Sequence, residues 1–192
     1  MYQRYNRPPW QDPLFILIGV NVLIWLITLA SPSIALNLGL FRPTFLSEPW
    51  TAVTSMFIHD PYGFTHILFN MIALYFFGTY LNQVIGERMM LAVYFVGGIV
   101  GSLFFWILGP PGGLAYGASG AIFALGGALA VLRPMVKVFV FPIPFPMPLW
   151  IAVIGGALIL SFVPGVAWQA HLGGLLTGIV FGFVLNRGRL HF

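Results

Sequence analysis

The sequence predicts an all-α, polytopic membrane protein: one domain over residues 1–192, six membrane spans, both termini cytoplasmic. Three observations predict it. Hydrophobic residues make up 59% of the 192-residue chain and charged residues 6%, with a mean hydropathy of +0.96. A water-soluble chain carries roughly 25% charged residues. The apolar residues fall into six runs separated by polar or Pro/Gly-rich breaks. The basic residues then divide seven to one between the two sides that those runs define.

Residues 1–13 are polar for the most part, carry Arg4 and Arg7, and read as a cytoplasmic tail. The first span is Leu14–Ala30, opened by Pro13. A cleaved secretory signal is the rival, since Ala30 and Ser31 are small. An uncleaved helix is preferred, because the run exceeds the roughly 7–15 residues of a signal core. Residues 31–64 form a long connection that mixes Leu38, Phe41, Trp50 and Phe57 with Arg42, Glu48, His59 and Asp60. That mixture suits short amphipathic pieces on the external side, lying in the bilayer interface. The second span is Thr65–Ile85, closed by Gly86-Glu87-Arg88, and the third is Met89–Leu108. A breaker-rich loop, Gly109–Tyr116, leads to the fourth span, Ser119–Leu132. Pro142, Pro144, Pro146 and Pro148 forbid a regular helix in the next connection. The fifth span is Leu149–Phe162. A turn at Pro164–Gln169 precedes the sixth, Ala170–Leu185.

With this division Arg4, Arg7, Arg88, Arg133, Lys137, Arg187 and Arg189 share one side and Arg42 stands on the other. Basic residues mark the cytoplasmic side. The expected location is the cell (plasma or inner) membrane, as a multi-pass integral protein. The net charge of +4 is too small and scattered for a nucleic-acid footprint. With no cysteine, thiol nucleophiles, disulfides and thiolate metal sites are excluded. No span holds a carboxylate, so neither a metal nor another cofactor is expected. Oligomeric state is open.

The polar residues inside the spans carry the chemistry. Ser119 lies in Gly117-Ala118-Ser119-Gly120, at a loop-to-helix junction with free backbone N–H groups. A plain helix-start serine fits the same pattern. The fourth span is short: about 21 Å at 1.5 Å per residue, against a hydrocarbon core of about 30 Å. Ser119 is therefore expected below the outer surface. His66 and Asn70 stand four apart, on one helical face; an interhelical hydrogen bond would explain them equally. His171 heads a strip of Gly174, Gly178 and Gly182, and the fourth span offers Gly120, Ala124 and Ala128 at the same spacing. Packing strip on strip would set Ser119 beside His171, as a nucleophile and its base. Asn70, His66 and the Ser119 backbone N–H would supply an oxyanion site. Gly173, on another face than Gly174, is expected to tolerate added bulk better unless that face meets another helix.

Three motifs, in order on separate spans, are similar to those of the rhomboid family of intramembrane serine proteases: His66-x-x-x-Asn70, Gly117-x-Ser119-Gly120 and Ala170-His171-x-x-Gly174-x-x-x-Gly178. The resemblance covers nearly the whole chain. It implies a six-helix bundle and a Ser–His dyad that cleaves transmembrane protein substrates near their outer ends. It also implies Ser119 as nucleophile, His171 as general base, and Asn70, His66 and the Ser119 amide as oxyanion binders. Phe123 matches the aromatic that this family stacks beside the histidine. Trp50-Thr51 stands where the family often has Trp-Arg, and Asn82 where it often has Glu; both departures concern loop anchoring and stability. His59 reads as structural. The competing functions are a non-proteolytic scaffold of the same fold, which typically lacks the serine or histidine, and a small-solute transporter. The second lacks both an internal repeat and an intramembrane carboxylate.

Overall fold

The computed structural model describes residues 8–140 and 142–189. Arg4, Arg7 and the last three residues lie outside the described residues. Helix α1 (Pro13–Ala30) starts where Asp12 accepts the Leu14 N–H at 2.9 Å and Pro13 occupies a first-turn position that needs no donor. The first connection folds into α2 (Ser33–Leu38), strand β1 (Leu40–Phe41), a 3-10 turn at Arg42–Thr44, α3 (Thr51–Thr54) and a second 3-10 turn at Ser55–Phe57. Helices α4 (Phe64–Ile85) and α5 (Glu87–Leu108) are separated by Gly86 alone, whose φ of 85° suits glycine. Strand β2 (Leu114–Ala115) precedes α6 (Ser119–Leu132). Strands β3 (Lys137–Val138) and β4 (Met147–Pro148) pair ahead of α7 (Leu149–Ser161), and α8 (Trp168–Arg189) follows.

Helices α1, α4, α5 and α8 are long and apolar enough to cross a membrane. Helices α6 and α7 are apolar but shorter, at 14 and 13 residues. Exposed Phe69, Phe76, Ile107, Phe183 and Val184 give the long helices the apolar exterior that lipid requires. Helix α8 starts at Trp168, two residues earlier than expected, so His171 falls within its first turn.

Helix α6 is the centre of the molecule. Eleven of its 14 residues are buried, and α4, α5, α7 and α8 pack around it. Small residues make this possible. A Cβ on Gly174 would overlap the Gly120 carbonyl, one on Gly178 the Ala124 carbonyl, and one on Gly182 would stand 3.0 Å from the Ala128 carbonyl oxygen. The two strips read from the sequence therefore meet, backbone on backbone. A third strip was not read. Gly97 of α5 faces Ala124 and Gly101 faces Ala170, where a Cβ would lie 2.7 Å from the carbonyl oxygen. This third strip meets the exception made for Gly173. A Cβ there would lie 2.7 Å from Phe104 Cγ and 3.0 Å from Gly101 Cα, so its face meets α5 and has no spare room.

Strands β1 and β2 pair antiparallel, Leu40 with Ala115 and Phe41 with Leu114. The pairing joins the first connection to the loop before Ser119. Arg42 adds to it: Nε donates to the Trp106 carbonyl at 2.7 Å and Nη2 to the Ile107 carbonyl at 3.2 Å. A cation on the last carbonyls of α5 satisfies a helix C-terminus. Ser102 Oγ of α5 donates to the Ala52 carbonyl at 2.9 Å, within buried surroundings. A satellite core of Leu40, Phe45, Ala52 and Phe105 completes the attachment.

Candidate active site

Ser119 is the first residue of α6, and Gly117 before it has φ of 128°, a region that side-chain-bearing residues avoid. Space makes the same demand, since a Cβ at Gly117 would lie 2.8 Å from His66 Nε2. The Gly117 N–H is spent on the Ser55 carbonyl at 2.9 Å, which ties the turn to the first connection. In the turn itself the first backbone donation is from Ile122 N–H to the Ala118 carbonyl. The N–H groups of Ser119, Gly120 and Ala121 therefore precede the helical ladder and remain for another acceptor.

Across the α6–α8 contact, Ser119 Oγ and His171 Nε2 are 2.7 Å apart, a short hydrogen bond. His171 is buried, and its ring lies against Phe123 with centroids 4.6 Å apart and planes inclined by 34°. Its Nδ1 has no hydrogen-bond partner among the described residues. The ring is thus held by packing and by the serine, without a carboxylate behind it.

His66 approaches the turn from α4, half-buried, with Nε2 toward Gly117 and Nδ1 accepting the Asp60 N–H at 3.3 Å. Asn70 is buried one turn deeper on the same helix. Its Nδ2 donates to the His66 carbonyl at 2.8 Å and keeps one hydrogen free. Its Oδ1 has no partner among the described residues. The structure thus gathers Ser119, His171, Gly117, Gly120, Phe123 and His66 around one turn, with Asn70 beneath His66.

His59, outside the helices, is fully buried with its ring 5.1 Å from that of His66. Burial, and then the neighbouring His66, push its imidazole down to about 3, so it is neutral. Burial pushes the Tyr116 phenol up, with Asp60 and Tyr62 adding to it. Behind Ser119 lies a cavity of about 30 Å³ bordered by Ser55, Met56, Ser102 and Ala121, room for one water. Sequence reasoning missed Ser55, Ser102, Asp60 and Trp25, whose indole Nε1–H donates to the Asp60 carbonyl at 3.0 Å. Each acts through a backbone group, its own or another residue's, which no periodicity announces.

A family model described as Rhomboid domain matches residues 46–188. The chain is 30% identical over 171 residues to "Rhomboid protein 1, mitochondrial" of Saccharomyces cerevisiae, covering 77% of this chain and 45% of that protein. It is 31% identical over 157 residues to "Putative rhomboid protease YdcA" of Bacillus subtilis, covering 77% of this chain and 71% of that one. It is 36% identical over 140 residues to "RHOMBOID-like protein 5" of Arabidopsis thaliana, covering 72% and 44%. Of the yeast and plant relatives the chain spans a little under half the length.

Proposed function

The chain belongs to the rhomboid family, and from that premise we propose that it is an intramembrane serine endopeptidase acting on transmembrane protein substrates. The observation that carries the reading is the 2.7 Å bond between Ser119 Oγ and His171 Nε2 at the head of a helix whose first N–H groups are free. His171 Nε2 takes the hydroxyl proton as Ser119 Oγ attacks a substrate carbonyl, then passes it to the leaving amine. The Ser119 N–H, the His66 Nε2–H and the free Asn70 hydrogen stabilise the oxyanion. Water then hydrolyses the acyl-enzyme and restores the serine.

The family and the apolar helices make the protein a multi-pass integral membrane protein. In the finer reading all six apolar helices cross the bilayer as one domain, with both termini cytoplasmic in the cell (plasma or inner) membrane. The substrate unwinds near its outer end, because α6 reaches only about 21 Å into a core of about 30 Å. A serine-directed fluorophosphonate tests the reading. Purified protein is expected to be labelled at Ser119, and both Ser119→Ala and His171→Ala to lose labelling and substrate cleavage. Cleavage retained by purified Ser119→Ala would overturn it.

A further inference from the structure

Two hydrogen bonds to the backbone of Asp60 run from opposite directions. Trp25, midway in the outer half of α1, donates its indole Nε1–H to the Asp60 carbonyl at 3.0 Å. The Asp60 N–H donates to His66 Nδ1 at 3.3 Å. The residue between them is stiff. Asp60 precedes Pro61, which restricts its backbone to extended conformations. Its carboxylate accepts the Tyr62 N–H at 2.9 Å. Gly63 closes the corner, since a Cβ there would lie 2.6 Å from Asp60 Oδ2. A rigid residue gripped at one end by α1 transmits that grip to the other end.

The bond at His66 also fixes a proton. A nitrogen that accepts N–H carries no hydrogen, so the neutral ring bears its hydrogen on Nε2. That nitrogen faces the Gly117 turn ahead of Ser119. We infer that Trp25, through the backbone of Asp60, is a positioning residue that holds His66 as an Nε2–H donor toward the Ser119 turn. The inference rests on the proposed oxyanion role of His66. It gives α1, which supplies nothing to the Ser119–His171 pair, a part in the reaction. It also explains why a half-buried tryptophan spends its donor on a loop carbonyl 35 residues away.

The test compares Trp25→Phe with Phe64→Leu. The first keeps an aromatic ring against Phe64, whose centroid lies 5.8 Å from that of Trp25, and removes only the N–H donor. The second disturbs that ring pair and keeps the donor. Two readouts are taken in the same detergent: kcat and KM on a transmembrane substrate, and ¹⁵N NMR of histidine-labelled protein, with His66 assigned by His66→Ala. Trp25→Phe is expected to leave KM unchanged and lower kcat roughly tenfold, part of the ~10²–10³-fold that losing a whole oxyanion donor costs. The His66 Nδ1 resonance, unprotonated in the parent, should shift toward a mixture of tautomers. Phe64→Leu should keep the parental kcat and spectrum. A Trp25→Phe protein with parental kcat and an unchanged His66 spectrum overturns the inference, as does one that only melts earlier. Parental kcat in His66→Ala would instead sink the oxyanion reading, while the spectra still decide whether Trp25 sets the tautomer.

Discussion

Adding one methyl group at Gly174 should separate Ser119 from His171. In the structure a Cβ there overlaps the Gly120 carbonyl oxygen, and lies 2.8 Å from the Gly120 carbonyl carbon and 3.3 Å from its Cα. Carbon atoms in ordinary contact sit about 3.5–4.0 Å apart. The obstacle is backbone and cannot rotate away, so α6 and α8 must part by roughly 1 Å at this level. Gly120 adjoins Ser119 and Gly174 lies one turn from His171, so the parting falls on the two proposed reacting groups. Their 2.7 Å bond would open to about 3.7 Å, beyond hydrogen-bond reach. Gly174→Ala should therefore lose about 10²-fold in rate, with about 1–3 kcal/mol of stability from overpacking. Gly182→Ala is the comparison. Its Cβ would meet Val131 Cβ at 2.7 Å and the Ala128 carbonyl oxygen at 3.0 Å, about 12 Å further along α8. It should lower stability and keep most of the rate. The assay is initial cleavage rate and melting temperature for both variants in one detergent. A Gly174→Ala enzyme with parental rate, or a Gly182→Ala enzyme equally slow, would refute the idea that this backbone contact sets the spacing of the pair.

Other outcomes follow from the same geometry. Ser119→Ala, His171→Ala and the double variant should be about equally inactive, because the two residues act as a unit; additive losses would argue against a dyad. Asn70→Ala should lower kcat by roughly 10²–10³-fold with KM little changed, whereas a normal kcat with weakened binding would move Asn70 to substrate docking. Reporter fusions after Arg88 and Arg133 should read cytoplasmic, and those within residues 31–64 external; a cytoplasmic reading around Arg42 would reverse the orientation. His59 titrates at about 3 in the fold, from burial and then His66, against about 6.5 unfolded. The unfolded chain binds the extra proton, so stability should fall as pH drops below about 6.5 and go on falling toward 3. Melting temperatures at a series of pH values check this, and His59→Phe should flatten the slope.

Much is legible in the sequence alone. The apolar helices are, because a membrane protein must make its lipid-facing segments apolar and satisfy their backbone internally. The predicted limits agree with the helices to within a residue or two, except at the end of α8, where Arg189 lies beyond Leu185. The α6–α8 contact was legible as well, since a four-residue spacing of small residues on two helices leaves few ways to pack. That contact is what brings Ser119 to His171.

The rest depended on groups that a sequence does not display. Any residue owns a carbonyl and nearly any an N–H, so nothing at Ser55, Ala52, Asp60 or Trp106 marks which carbonyl or N–H will be taken by Gly117, Ser102, Trp25 or Arg42. The β1–β2 pairing of two residues each is below the length at which alternation can be read. Whether the face of Gly173 meets another helix is open in the sequence, because one helix shows its spacing but not how many neighbours surround it. The sequence by itself determined the membrane class, the helices and the small-residue seam, since those follow from local composition and period. Only the tertiary structure decided how the first connection grips the Ser119 turn and which way His66 points, because both are set by backbone groups that no residue type marks, Ser55 for Gly117 and Asp60 for His66.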